Sequence, residues 1–454
     1  MNDAMLRSRL DVSLHFWGRA MFRNGLCLAL LVCTTVVRAD DWPQWMGPVR
    51  DNVWRETGLV ETLPASPKYV WRIPVAGGYS GPAVAKGKVY VTDYVTADNV
   101  KIDNFDRKNS TGMERIQCFD EKNGMLLWSK QQPETYSISY PAGPRSTPLV
   151  HEGKVYAQGA EGQLACFHAD SGDVIWLKNL KTEYNTKAAL WGYASQPLID
   201  GNKLIVIAGG DGSHCVALNK ETGAEIWRTG TATEQGYSPP LIIKQAGIRQ
   251  LILCSPDAVY AVNPETGKEL WSQEYKGDNG SIIMTPILSG NYLFVAGFNG
   301  RNMMLELATD KPGAKTLWRD DKKLAFSPVN VQPFLMNEFV YGLDQGGELR
   351  CCQIPSGKIE WTTPKPLGER KQGSGTVFLV RANDSDKFWM FAESGDLIIG
   401  QLSPKGFTEL SRTHVIDPSN NAFGRDVVWC APAFANKRMY VRNDKELVCI
   451  DLAK

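Results

Sequence analysis

The apolar positions of this chain fall into a repeating unit with two halves. The front half is a Ser or Thr, a Pro one or two residues on, an apolar stretch, a Gly, and a second apolar run. Ser80-Gly81-Pro82 leads through Gly87 to Val89-Tyr90-Val91, Ser146-Thr147-Pro148 through Gly153 to Val155-Tyr156-Ala157, and Ser195-Gln196-Pro197 through Gly201 to Leu204-Ile205-Val206. Later units open at Ser238-Pro239-Pro240, Thr285-Pro286, Ser327-Pro328, Ser374-Gly375-Thr376 and Ala431-Pro432. Proline lacks a ladder donor and is tolerated at the first residue of a strand. The glycine between the runs suits a tight hairpin.

The back half is a polar turn followed by an aromatic ring. Asn123-Gly124 precedes Trp128, Ser171-Gly172 precedes Trp176, Thr222-Gly223 precedes Trp227, Thr266-Gly267 precedes Trp271, and Ser356-Gly357 precedes Trp361. Gly313 with Trp318 is stretched by one residue, Gly406 with Leu410 has lost the ring, and Trp71 supplies a ring without its own turn. Asp120, Asn219 or Asn263 opens the turn by bonding to nearby backbone. A period of roughly 40–50 residues built from short strands predicts an all-β, eight-bladed β-propeller of four-stranded antiparallel blades. The seven tryptophans are expected to wedge between blades, each burial contributing roughly 2–3 kcal/mol.

The two ends complement each other. Arg438 to Leu452 supplies inner strands without an outer one, and Lys68 to Ile73 is an outer strand without inner partners. Pairing them would close blade eight and remove two exposed edges. The predicted organisation is a signal peptide over 1–39, an N-terminal extension over 40–65 and the propeller over 66–454. Leu26 to Val37 is a short apolar run after Arg19 and Arg23, followed by Val37-Arg38-Ala39, which reads as a secretory signal cleaved after Ala39. Met21 is an alternative start. Lipidation at Cys33 is the competing reading, disfavoured because Val32 stands where a small residue is wanted. The expected location is periplasmic or secreted, with no transmembrane segment in the mature chain.

Removing residues 1–39 leaves 45 Lys and Arg against 47 Asp and Glu, with no basic run, which argues against nucleic acid as a partner. Eight cysteines remain, which in an exported protein suggests disulfides. Their placement argues otherwise. Cys118, Cys166 and Cys351 each lie six residues before a turn glycine, Cys449 aligns with them, and Ala217 and Ala261 fill the same slot elsewhere. The slot wants a small buried residue, and cysteine behaves as one.

The Asx-x-x-Thr-Gly-x-x-x-Trp spacing resembles the docking motif of the quinoprotein-type, or PQQ-like, repeat family, and the resemblance covers nearly all of 66–454. Asp41-Trp42-Pro43-Gln44-Trp45-Met46-Gly47-Pro48 is similar to the opening of secreted PQQ-like repeat proteins, which usually have Arg at the place of Met46. Two branches carry different implications. Quinoprotein alcohol dehydrogenases hold pyrroloquinoline quinone and calcium at the propeller axis. The lipoprotein branch of the outer-membrane barrel-assembly machinery implies a non-catalytic binding scaffold. This chain is short for a dehydrogenase, lacks a Cys-x-x-Cys-His haem sequence, and offers no local motif for the catalytic Asp or the calcium-binding Glu and Asn. One feature points towards that branch: Cys351-Cys352 is a vicinal pair, and the resemblance would make it a ring disulfide beneath the quinone; the small-residue slot is the better explanation of Cys351.

Loops entering each first strand should gather round the central channel. They carry Tyr79, Tyr193, Tyr237, Phe326, Arg145, Trp191, Lys323, Lys371, Arg425 and Trp429. Aromatics and cations at a funnel mouth can hold an anionic or planar ligand; alternatively the tyrosines pack between blades and the cations are solvated. The insertion between Thr96 and Glu114 holds Asp98, Asn99, Asp103, Asn104, Asp106 and Asn109, without the closing Glu of an EF-hand. It is expected as a polar loop and contact surface. His151, His168, His214 and His414 lack metal-ligand spacing, and no metal site is expected. The expected function is an exported, monomeric scaffold for a protein or peptide in the cell envelope, needing no cofactor. The alternatives are a quinone- and calcium-dependent alcohol or sugar dehydrogenase and a glycan-binding module.

Overall fold

The structure is a computed structural model that describes residues 40–101 and 104–454. The predicted signal segment with Met21, Cys33 and Ala39, and Asp103 of the insertion, lie outside the described residues.

Eight antiparallel sheets follow one another along the chain as blades 1 to 8. Blades 1 to 7 span 83–138, 149–179, 198–229, 241–274, 287–319, 334–363 and 377–414. Blade 8 joins the ends of the chain: Tyr69–Pro74 pairs with Glu446–Asp451, which pairs with Arg438–Arg442 and then Ala433–Ala435. The ring is therefore closed from both termini, as the strand patterns predict. Core side chains lie between neighbouring sheets, as where Leu149, Tyr156 and Leu164 of blade 2 meet Leu204, Val216 and Leu218 of blade 3.

The tryptophan girdle has a specific register. Cys118 stands opposite Trp128, Cys166 opposite Trp176, Cys351 opposite Trp361 and Cys449 opposite Trp71. Ala217 and Ala261 occupy the same position opposite Trp227 and Trp271. A small side chain there leaves space for the indole of the adjoining strand. Trp71, Trp128, Trp176, Trp227, Trp318 and Trp361 each donate the indole N–H to a carbonyl in the next blade's outer turn, at 2.8–3.1 Å. Trp271 instead donates to Gln250 Oε1 of its own blade at 2.7 Å. The turn it faces is the stretched one before Trp318, where a Cβ at Gly313 would meet only Ala308. All eight described cysteines are free and buried, and burial pushes the thiols of Cys118, Cys166 and Cys449 up to about 12.

Two parts differ from expectation. Residues 96–114, expected as a loop, are strand from Lys108 onward: Lys108–Asp120 pairs along its length with Leu126–Ile138. The long hairpin is stabilised by the stacked rings of Tyr94 and Tyr136, and Tyr136 donates to the buried Glu114 at 2.6 Å. The 40–65 stretch, expected as an extension, packs into the ring. Trp42 exchanges backbone bonds with Val84 of blade 1, and Pro43 accepts from Val150 of blade 2. Arg50 donates to Pro197 O, in the connection entering blade 3, at 2.7 Å. Val53–Trp54 then adds a parallel fifth strand to the inner edge of blade 7. The Trp54 ring, fully buried, packs on Trp389 at 5.5 Å and Phe434 at 5.0 Å. The inner edges of a propeller face its axis, so this segment is threaded into the central channel.

Candidate functional site: the axial cavity

Alternating strands put all the connections between blades, and all the loops between second and third strands, on one face. On that face a cavity of about 280 Å³ opens. Every one of the eight interblade connections contributes to its wall: Tyr79, then Tyr140 and Arg145, Trp191 and Gln196, Tyr237, Ser281 and Ile283, Val329 and Asn330, Ser374, and finally Phe423 and Trp429. Trp45 of the threaded segment also lines it, as do Asn104 and Phe105 of the loop in blade 1.

The aromatic rings form two clusters. In one, Trp429 meets Tyr140 edge-on at 5.5 Å and lies against Tyr79 and Phe423. In the other, Trp191 packs against Tyr237 at 5.7 Å and Phe105 at 5.5 Å, and its indole N–H donates to Asn104 Oδ1 at 3.0 Å. That last bond ties the blade 1 loop over the cavity. Arg107 of the same loop donates to Ser137 O at 2.8 Å and Ala188 O at 3.1 Å, while Asp98 accepts from Thr111 N at 2.7 Å and Asn99 from Lys101 N at 3.0 Å within the loop's own turns.

Arg145 is the only Arg, Lys, Asp, Glu or His among the described residues lining the cavity. Its guanidinium lies over the Tyr79 ring, 5.0 Å from the centroid. It donates to the carbonyls of Ser139 at 2.8 Å, Tyr140 at 2.5 Å and Gly143. Burial lowers its pKa below the ordinary arginine value and raises that of Tyr79 above the phenol value. Two carboxylates whose charge reaches Arg145 are bonded to other donors. Glu161 accepts from Lys181 at 2.5 Å and from Ser137 N at 2.6 Å, and Glu114 from Tyr136 at 2.6 Å and Ala160 N at 3.0 Å.

Of the ten loop residues named from sequence, Tyr79, Arg145, Trp191, Tyr237 and Trp429 come together at the cavity. The other five do not line it. Phe326 is buried edge-on against Phe294 at 5.7 Å. Tyr193 packs between blades 2 and 3, its hydroxyl donating to Ala208 O at 3.0 Å. Lys371 is exposed and pairs with Glu348 at 2.9 Å, and Lys323 is exposed in the connection into blade 6. Arg425 stands behind the wall on Glu393 at 2.7 Å; the same carboxylate accepts from Trp429 Nε1 at 3.1 Å and so fixes that ring. Trp45, Phe105, Tyr140 and Phe423 were missed. Trp45 was visible only as part of an N-terminal signature, and Tyr140 stood beside Pro141-Ala142-Gly143-Pro144, a loop signal of the right kind.

The quinone and calcium centre implied by the dehydrogenase branch does not fit these residues. Calcium takes six to eight hard oxygen ligands, carboxylates prominent among them. Among the described residues, no carboxylate lines the cavity and no group of three or more His, Cys, Asp or Glu could hold a metal ion. Cys351 and Cys352 lie away from the cavity, in the third strand of blade 6, paired towards Trp361 and Ile359.

The architecture and the channel define an eight-bladed propeller of PQQ-like repeats with an axial pocket. The sequence profile of the family described as outer membrane protein assembly factor BamB matches residues 112–363, more than half the chain, and the chain belongs to this family of PQQ-like repeat propellers. It is 24% identical over 252 residues to outer membrane protein assembly factor BamB of Shewanella oneidensis, a match covering 52% of this chain and 61% of that relative. The chain thus spans about three fifths of that relative's length. Among solved structures, BamB from Moraxella catarrhalis superposes with a TM-score of 0.53 at 15% identity, covering 85% of this chain and 98% of that one. Quinohemoprotein alcohol dehydrogenase from Comamonas testosteroni gives 0.55 at 13% identity, covering 91% and 80%. At such identities the two structures speak to the fold alone. No helix among the described residues is long and apolar enough to cross a membrane.

Proposed function

We propose that this protein is an exported, non-catalytic scaffold of the cell envelope that binds a protein engaged in outer-membrane assembly. The observation that carries this reading is the chemistry of the axial cavity. All eight connections converge there, yet its described lining offers no carboxylate, histidine, cysteine or lysine to act as acid, base or nucleophile. The relative from Shewanella oneidensis is named as an outer membrane protein assembly factor, which supports assigning the propeller to partner binding. The outer strand of blade 1, Leu126–Ile138, offers a long edge preceded by Met125 and beginning with Leu126 and Leu127, all three exposed. Such an edge can accept a partner strand by main-chain pairing, with side-chain pockets adding specificity.

The test is deletion of the gene in its source organism, followed by mass-spectrometric quantification of outer-membrane proteins and complementation in trans. Loss of several outer-membrane barrels, restored by the wild-type gene, is the expected result. Unchanged barrel levels would remove the assembly role. A titration of the purified protein with pyrroloquinoline quinone and calcium serves the dehydrogenase alternative, which a saturable rise in melting temperature would favour.

A further inference from the structure

We propose that the axial cavity binds a small monocarboxylate with an apolar, single-ring or short-chain body. Arg145 carries the argument. Three of the five N–H groups of its guanidinium donate to the carbonyls of Ser139, Tyr140 and Gly143, which leaves Nε–H and one Nη1 N–H without an acceptor among the described residues. It forms no ion pair with a described residue, and Glu114 and Glu161 behind it are held by other donors. A half-buried cation without a bonded counter-charge is costly, and a carboxylate bound in the cavity supplies that charge, one oxygen accepting from Nε–H or from the second N–H of Nη1 while both Nη2 hydrogens stay on the carbonyls.

The rest of the wall sets the body of the ligand. Trp191, Tyr237, Phe105 and Trp429 present aromatic faces, and one lone cation calls for one negative charge. Size narrows the class further. A cavity of about 150 Å³ accommodates benzene, so 280 Å³ takes one ring with a short acid arm. A planar tricyclic tricarboxylate is too large and too highly charged. The inference is independent of the scaffold reading, since a scaffold for a protein can hold a small molecule on its axis.

The experiment is isothermal titration of the purified full chain with benzoate, cinnamate and octanoate, each beside its neutral amide. At least one acid should bind saturably and at least tenfold more tightly than its amide. Arg145→Gln should abolish the preference for acid over amide while the melting temperature confirms a folded ring. Phe105→Ala changes an exposed ring without hydrogen bonds, and should weaken acid and amide together by several-fold. Equal binding of acid and amide overturns the proposal. So does failure of all three acids at millimolar concentration, or an acid preference that survives Arg145→Gln.

Discussion

The docking of each tryptophan on the next blade can be tested at two glycines of blade 2 that share a backbone conformation and differ in surroundings. Gly153 has φ of +78° and a Cβ there would meet nothing within 4 Å. Gly172 has φ of +71°, and a Cβ there would stand 2.6 Å from Cδ2 and Cε3 of Trp128. Alanine at either site carries the left-handed strain, about 1 kcal/mol. At Gly172 the indole must also move. That movement breaks its 3.0 Å bond to Ala169 O, costing about 1 kcal/mol. It also uncovers part of a burial worth roughly 2–3 kcal/mol. The totals are about 1 kcal/mol for Gly153→Ala and about 3–4 kcal/mol for Gly172→Ala. A cooperative ring of about 400 residues has an unfolding entropy near 0.8 kcal/mol/K, so the melting temperature should fall by about 1 °C and about 4 °C respectively. Differential scanning calorimetry resolves that difference. Equal shifts for the two variants would refute the claim that the turn glycine exists to seat the indole.

Three further outcomes follow from the same structure. Burial raises the Glu114 carboxyl from 4.5 to about 7, so between those values the native state holds a proton that the unfolded chain has released. Its contribution is complete below pH 4.5 and is lost as pH rises through 7, roughly 3 kcal/mol in all; denaturant titrations at pH 5 and pH 8 should show Glu114→Gln flattening this slope, and an unchanged slope would assign it to other groups. Trp54→Ala should destabilise the ring by about 4 kcal/mol, with hydrogen exchange accelerating first in Val377–Ala382 and Ala433–Ala435, the inner strands beside it; protection lost evenly round the ring would argue against the threaded segment acting locally. The eight described thiols should all resist a thiol reagent in the native protein and all react in denaturant without prior reduction, and any thiol that needs a reductant would reveal a disulfide.

The ring was legible in the sequence because each blade repeats the same local physics. A turn glycine, a small residue opposite the indole and a proline at the first strand recur often enough to be counted twice independently, and the closure follows from strands lacking partners at each end. The cavity was legible only in part, since the loops that enter first strands can be named from the repeat but their side-chain directions cannot. Tyr79 and Tyr193 stand in similar Gly-Tyr steps. One faces the axis beneath Arg145 and the other packs between blades on Ala208 O. The threading of Trp42, Trp45 and Trp54 left no periodic trace, because an unrepeated segment filling a channel obeys the shape of the channel rather than a pattern of its own. The strand beginning at Lys108 was hidden by polar residues, since both faces of that long hairpin carry Ser, Thr and Glu.

The scaffold account is tested most directly by photo-crosslinking in living cells, with a photoreactive residue at Leu127 or Leu177 on the exposed outer strands and at Lys323 on the loop face. The account predicts a discrete adduct from at least one position, identified by mass spectrometry as a protein of outer-membrane assembly, and its disappearance on mixing with an excess of unlabelled chain. A folded, exported protein that yields no adduct at any position, or only adducts with abundant bystanders, would contradict it.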